Sequence, residues 1–390
     1  MQTVNPKTRI QAIALITAVC LAGDAMLLIA LPLYWQEFGL TAIWQVGVLL
    51  SANRFIRLPL TPLIGLFYKR YSRKAGFLIA IMLASLTTLS YAFAQSFVLL
   101  LIARCLWGVA WALLRLGGTI TVTELSTEQN RGRLVGLYNG LWGLGGLVGM
   151  LVGSFFIESI SLAFASIAFA LLALCGFPLA IGYISGESRT VDPKEKSFKQ
   201  AFKATGATKS GRIFLSSAAS GFVVFGLFAT TLSPLIAERE QPSSVVGAAT
   251  IAGIIQAIRW GWDPFLAPFV GRYLVNATSR RLALLLSLGS LATLFVMLSL
   301  PVSFGWLLVL LLVFQLVSTA FITTVDTNAT DLAASDDKIV VMTKHTMASD
   351  LGAAVGPLAS FLLLDYTSLS TVYQLAALLL LLVAIPWVRR

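Results

Sequence analysis

Long apolar runs broken by short polar turns fill the chain almost from end to end. Twelve such runs lie at 10–32, 41–66, 75–95, 97–122, 132–157, 161–184, 213–236, 244–270, 280–300, 304–330, 339–364 and 367–388. A helix needs about 20 predominantly apolar residues to cross the hydrocarbon core of a bilayer, and every run meets that length. The pattern predicts an all-α membrane protein of twelve transmembrane helices. One longer polar segment, Ser185 to Arg212, interrupts the series and carries Lys194, Lys196, Lys199, Lys203 and Lys209. It divides the chain into an N-terminal six-helix bundle at 1–184, a cytoplasmic linker at 185–212 and a C-terminal six-helix bundle at 213–390. The spacing of Lys199 and Lys203 also suits a short helix on the membrane surface.

Composition agrees with the pattern. Hydrophobic residues make up 57% and charged residues 12%, against about 25% charged in a soluble domain. The net charge of +11 would suggest nucleic acid in a soluble protein. Here the basic residues follow topology instead. Of the 28 Lys and Arg, most lie in the termini and in alternate connections, while Arg239 alone falls in a connection of the opposite set. This is the positive-inside asymmetry, and it places both termini in the cytoplasm. The other connections are short or acidic, with Glu37, Glu158, Glu238, Glu240 and Asp365. No nucleic-acid partner is expected.

Several enzyme classes are excluded. Cys20, Cys105 and Cys175 are scattered within apolar runs without a C-x-x-C pair, and His345 is the single histidine, so no metal site is expected. The chain lacks a phosphate-cradling G-x-x-x-x-G-K-[ST], which argues against ATP as the energy source. It also lacks G-x-S-x-G and H-E-x-x-H. No cofactor and no catalytic residue are expected.

The two halves read as repeats. Arg57-Leu-Pro-Leu-Thr-Pro62-Leu-Ile-Gly65 in the second run leads into a basic turn, and Asp263-Pro-Phe-Leu-Ala-Pro268-Phe-Val-Gly271 in the eighth leads into a turn ending Arg280-Arg281. The two P-x-x-G stretches stand 206 residues apart, proline to proline and glycine to glycine. Internal repeats with proline- and glycine-interrupted helices belong to secondary transporters, whose solute site lies near the midplane.

The charges within the runs carry the functional signal. A charged side chain at the bilayer centre costs about 2.5–3.5 kcal/mol on insertion scales, so such groups face the bundle interior and mark a solute or proton path. Asp24 lies roughly 21 Å into the first run at 1.5 Å per residue. It is the candidate proton carrier, with a permanent Asp–Arg tether as the alternative. Arg54 and Arg57 share a face of the second helix, as do Asn53 and Arg57. Arg104, Gly108, Trp111 and Arg115 form one stripe on the fourth. Arg259 and Asp263 are four apart in the eighth and are expected to pair. Asp326 and Asp331 in the tenth run and Asp350 in the eleventh are expected to meet basic loops. The arginine excess over Asp24 suits an anionic solute, because guanidinium pairs bidentately with carboxylates. Trp107, Trp111, Trp142, Trp260 and Trp262 suit an amphipathic one.

Three local patterns then resemble the major facilitator superfamily. The turn after the second run supplies Gly65, Arg70, Arg73 and Lys74 of the family's G-x-x-x-D-R-x-G-R-K, but has Lys69 in place of the aspartate and Ser72 in place of the second glycine. Arg104-Cys-Leu-Trp107-Gly108 resembles the R-x-x-x-G linked to proton coupling in drug:proton antiporters. Gly352-Ala-Ala-Val-Gly356-Pro357, after Asp350, resembles the antiporters' G-x-x-x-G-P, which they carry in the fifth span. Here the fifth span has Gly145-x-x-x-Gly149 without the proline. Small residues at that spacing also suit close helix packing. Gly23-Asp24 to Ala30-Leu31-Pro32 is similar to a stretch of some drug exporters.

The resemblance implies two pseudo-symmetric six-helix bundles and proton-coupled efflux of a small organic solute by antiport. Uptake or exchange of an organic anion, and movement of a lipid or lysolipid between leaflets, are the alternatives. Asp24, Arg54, Arg57, Arg104, Arg115, Arg259 and Asp263 are the expected solute and proton residues. Gly65, Lys69, Arg70, Arg73, Lys74, Asp350, Gly352, Gly356 and Pro357 are the expected gating residues. The partners expected are the solute, protons and the lipid bilayer, with the protein a monomer in a bacterial cytoplasmic membrane.

Overall fold

The computed structural model describes residues 5–127, 130–184, 209–239, 247–335 and 338–388. Most of the expected linker, including Lys194, Lys196, Lys199 and Lys203, and the external Glu240 lie outside the described residues. Among those described the chain is helical nearly throughout, in twelve segments. These are α1 (Pro6–Leu33), α2 (Trp44–Arg70), α3 (Arg73–Ser90), α4 (Phe97–Leu125) and α5 (Arg131–Ser159). They continue with α6 (Leu162–Tyr183), α7 (Gly211–Arg239), α8 (Ala248–Gly271) and α9 (Ala277–Ser299), and end with α10 (Phe304–Ser335), α11 (Lys338–Leu364) and α12 (Leu369–Val388).

Ten helices are long and apolar enough to cross a membrane among the described residues. The two that fall short by composition are α2 and α8. Both carry charges within their length and two prolines each, Pro59 and Pro62 in α2 and Pro264 and Pro268 in α8. These are the same two helices whose P-x-x-G stretches marked the repeat.

Local chemistry sets the helix starts. Asn5 caps α1 by accepting from Lys7 N–H at 3.0 Å, with Pro6 in the first turn. Ser72 caps α3 through Ala75 N–H at 3.2 Å, so the serine that replaces the family's glycine ends the basic turn as a helix cap. Asn276 and Ser279 form a reciprocal capping box at the start of α9,. At the opposite end of α12, Arg281 donates to the carbonyl oxygens of Trp387 and Val388, each at 2.6 Å. A cation there satisfies acceptors left over by the helix and opposes its dipole.

The described residues fall into two compact units. The first is drawn from Met1–Thr41, Ala52–Pro193 and Val246–Ala257, the second from Ala42–Ser51, Lys194–Val245 and Ile258–Arg390. Ala42–Ser51, which leads into α2, is thus grouped with the second unit, and Ala248–Ala257 of α8 with the first.

In the first unit α1 packs along α5. A Cβ at Gly145 would lie 2.6 Å from the Ala18 carbonyl carbon, and one at Gly149 2.8 Å from that of Ala22. Only glycine lets the backbones approach so closely, the usual device of membrane helices. Tyr68 of α2 donates to the Leu113 carbonyl of α4 at 2.8 Å.

The second unit uses the same device between α7 and α11. A Cβ at Gly352 would come within 2.8 Å of the Ala218 carbonyl carbon, and one at Gly356 within 2.7 Å of both Gly226 Cα and the Phe222 carbonyl oxygen. Here α7 widens into a π-helical stretch, Gly221–Phe228, so the family-like glycine pair seats a helix irregularity of the kind that often marks functional sites. Next to it Phe228 stacks on Phe314 at 3.8 Å, and Tyr373 reaches Thr231 at 3.0 Å.

Candidate functional site

The first unit gathers its charges on α1, α2 and α4. Asp24 sits about two-thirds of the way along α1 and Arg104 in the second turn of α4, and their side chains close into a hydrogen-bonded ion pair. Arg104 is 1% exposed and Asp24 9%. The same guanidinium nitrogen lies 3.5 Å from Tyr91 Oη, just beyond α3. Taking both charges out of water costs several kcal/mol per ion, so the pair persists only because each group answers the other. Gly23 gives the room, since a Cβ there would collide with Thr88 of α3. Gly108, one turn beyond Arg104, lies against Asn53 of α2, whose carbonyl oxygen would be 2.8 Å from a Cβ. The Arg104–Gly108 motif therefore places a cation on α1 and a close contact on α2 from one face of α4.

Arg115 occupies the far end of that stripe. Its guanidinium lies over Trp142 at 4.6 Å and over Trp111 and Tyr138 at 5.7 Å each. It also donates to Asn139 Oδ1 at 3.5 Å, an oxygen that accepts from Trp142 Nε1 at 3.0 Å. Three aromatic faces around one cation form a cation–π box. Tyr138 and Asn139 were not among the sequence candidates. An asparagine within an apolar helix, three residues before a tryptophan, is the signal that would have found them. Arg54 and Arg57 are half-buried on α2, and Thr61 donates to the Arg57 carbonyl at 2.8 Å.

In the second unit Arg259 is 4% exposed. It does not form the expected ion pair with Asp263. The guanidinium lies over the Phe225 ring at 4.9 Å, within the π-helical stretch of α7, and Asp263 accepts a hydrogen bond from Thr319 of α10. Arg259 Nε and Nη1 have no hydrogen-bond partner among the described residues. Spacing along α8 favoured the pair, but side chains of two other helices reach these groups.

The expected gating residues separate into two groups. In the basic turn, Arg73 pairs with Glu124 at the end of α4, and Lys74 donates to the Ile181 carbonyl of α6 at 3.1 Å. Lys69 and Arg70 are exposed, and a Cβ added at Gly65 would meet nothing within 4 Å. The turn thus ties α3 to α4 and α6 within the first unit. Gly352, Gly356 and Pro357 belong to the α7–α11 seam, with Asp350 half-buried about two turns before Pro357,. Of the acidic residues expected to meet basic loops, Asp331 pairs with Arg280 at 2.7 Å, whereas Asp326 meets His345.

A further acidic residue lies on α5. Glu158 accepts from Ala249 N–H at 2.7 Å and from the Thr250 hydroxyl. It thereby takes up a backbone donor in the first turn of α8.

Known proteins of the same kind bear on this arrangement. Residues 13–263 match the sequence profile of the Major Facilitator Superfamily. The chromaffin granule amine transporter of Rattus norvegicus is 28% identical over 131 residues, 33% of this chain and 25% of that protein. Multidrug resistance protein 1 of Bacillus subtilis is 23% identical over 188 residues, 47% and 48% of the two chains. The class H tetracycline resistance protein of Pasteurella multocida is 27% identical over 143 residues, 36% of each. The matched region thus spans a quarter to a half of these relatives. Among solved structures, the nucleoside transporter NupG superposes with a TM-score of 0.77 at 14% identity, covering 99% of this chain and 98% of that one. A bacterial homolog of the human lysosomal transporter Spinster superposes at 0.74 with 17% identity, covering 99% and 97%. These two establish the fold. With the profile match over residues 13–263 and the helical architecture, the chain belongs to the major facilitator superfamily and is a multi-pass membrane protein.

Proposed function

We propose that this transporter exports a small organic solute in exchange for protons, working by alternating access. The observation that carries the reading is the Asp24–Arg104 pair, an acid and a base sealed among membrane helices. While Asp24 is ionised the pair is neutral overall. When Asp24 takes a proton from the outer side, Arg104 loses its counter-ion, and the α1–α4 contact weakens to a neutral hydrogen bond. Loss of that proton to the cytoplasm restores the pair. A buried charge without a partner is costly, so each proton movement biases the packing of α1 on α4. The motif at Arg104-x-x-x-Gly108 and the resistance and efflux names of several relatives support export. The basic turn, from Gly65 through Lys69, Arg70, Arg73 and Lys74, serves in this reading as a cytoplasmic anchor, with both termini on that side of a bacterial cytoplasmic membrane.

A second reading, exchange of an organic anion, is favoured by Arg259, whose buried Nε and Nη1 offer two unused donors. Guanidinium is the side chain suited to a carboxylate or phosphate.

Purified protein in liposomes separates the readings. With a pH gradient, flux of a cationic or neutral drug that Asp24→Asn abolishes supports proton antiport. Equal flux of that drug in Asp24→Asn and wild type overturns the coupling role. Anion uptake sensitive to Arg259→Gln identifies the second reading, and movement of a labelled lysolipid without solute flux overturns both.

A further inference from the structure

His345 is the single histidine of the chain, and both of its ring nitrogens are engaged by other helices. Nδ1 lies 2.8 Å from Ser217 Oγ of α7, and Nε2 lies 3.1 Å from Asp326 Oδ1 of α10. The imidazole side chain is 11% exposed and the Asp326 side chain 57%. Ser217 is fully buried, and its hydroxyl also lies 2.9 Å from the Ile213 carbonyl oxygen.

The donor and acceptor inventory fixes the protons. An ionised carboxylate only accepts, so a charged Asp326 favours the ring with its proton on Nε2. In the neutral ring Nδ1 is then the acceptor, and Ser217 donates its hydroxyl proton to it. A second ring proton goes onto Nδ1. Ser217 Oγ then accepts from Nδ1–H and turns its own proton to the Ile213 carbonyl. The Nδ1–Ser217–Ile213 side is satisfied in both charge states, and no helix has to move. A histidine kept only for packing needs one such state and no carboxylate.

We infer that His345 is a proton-binding site built from α7, α10 and α11. It takes up one proton and holds it as imidazolium against that carboxylate. The charged groups on the helices around α11 are Arg212 of α7, stacked over Trp387 at 4.6 Å, Glu238 and Arg239 at the other end of α7, and Asp326 and Asp331 of α10, the latter paired with Arg280. The third neighbouring helix, α12, brings Trp387, which donates to Ser216 Oγ at 3.0 Å. On α11 itself the charged neighbours are Lys344 and Asp350. Asp326 is the group that meets the ring. Proton occupancy therefore sets whether an ion pair joins α10 and α11. The inference does not rest on the Asp24 reading, and its test leaves transport aside.

Because one histidine is present, protein made with heavy-nitrogen histidine and purified without a histidine tag gives a single imidazole signal in NMR. In nanodiscs, the expected neutral ring is protonated on Nε2 alone. Acidification between about pH 8 and 5, the range in which histidine titrates, adds the Nδ1 proton while circular dichroism stays unchanged. Asp326→Asn, which removes the carboxylate facing the ring, changes the titration, and Asp326→Glu restores it. A ring that never titrates in the folded protein, a neutral ring protonated on Nδ1, or a titration unmoved in folded Asp326→Asn overturns the assignment. Should Asp326→Asn not fold, the wild-type tautomer and titration alone decide it.

Discussion

Arg104 of α4 closes on the carboxylate of Asp24 of α1, and neither group keeps more than a small fraction of its surface in contact with solvent. Removing one partner of such a pair leaves a buried charge unanswered, at a cost of about 3–5 kcal/mol, whereas replacing both by neutral groups is often tolerated. Asp24→Asn and Arg104→Gln should therefore each lower thermal stability in detergent strongly. The double variant should be more stable than either single one. Two single variants that lose less than about 1 kcal/mol, with additive effects, would show that the pair holds nothing together.

Arg115 sits in the box made by Trp111, Tyr138 and Trp142. A cation over aromatic faces contributes about 0.5–2 kcal/mol, and lysine reproduces neither the planar stacking nor the bond to Asn139. Arg115→Lys should cost about 1 kcal/mol in stability and change tryptophan fluorescence. Arg115→Met empties the box. Binding of an organic cation should then strengthen, since that ligand competes with Arg115 for the same faces, while binding of an anion weakens. Isothermal titration with one solute of each charge reads the difference, and unchanged affinities for both would remove Arg115 from the solute path.

The residues that sequence located and those it missed differ for a physical reason. Hydrophobic periodicity and length are properties of a segment by itself, so the helices were legible at nearly the positions found. Small-residue spacing announced close contact at Gly145, Gly149, Gly352 and Gly356, but not that the partners would be α1 and the π-helical stretch of α7. Side-chain pairing depends on what other helices bring. The spacing of Arg259 and Asp263 suggested a pair, yet Phe225 and Thr319 reach them first. His345 looked solitary because Ser217 and Asp326 lie on other helices. Glu158 read as an acid of an external connection, and only the folded chain sets it at the start of α8.

Glycines of the family-like motifs should respond differently to the same change. Gly356→Val puts a side chain 2.7 Å from backbone atoms of α7, which cannot yield, and overpacking of this kind costs about 1–3 kcal/mol or more. Gly65 faces open space, so Gly65→Ala should keep stability within about 0.5 kcal/mol. The fraction of monodisperse protein after heating in detergent checks both. Loss of folded protein in Gly65→Ala, or its full retention in Gly356→Val, would reverse the assignment of packing and open positions.

Glu158 takes up the Ala249 N–H and the Thr250 hydroxyl in the first turn of α8. The first turn of a helix has backbone donors without partners in the helix, and its positive end favours a carboxylate. A side chain acting as a cap contributes about 0.5–2 kcal/mol, and this one comes from the far end of α5, so it also ties α5 to α8. Gly247 fits against the same carboxylate, where a Cβ would lie 2.7 Å from its carbon. Glu158→Gln keeps the shape and the acceptor oxygen but not the charge, and should lose less stability than Glu158→Ala, which should lose about 1–2 kcal/mol. Thr250→Val should cost less than Glu158→Ala, because the backbone bond remains. Hydrogen exchange at the start of α8 gives the local readout: protection of the Ala249 amide should fall in Glu158→Ala and survive in Thr250→Val. Equal protection in wild type and Glu158→Ala would mean that the carboxylate rests at the helix start without holding it.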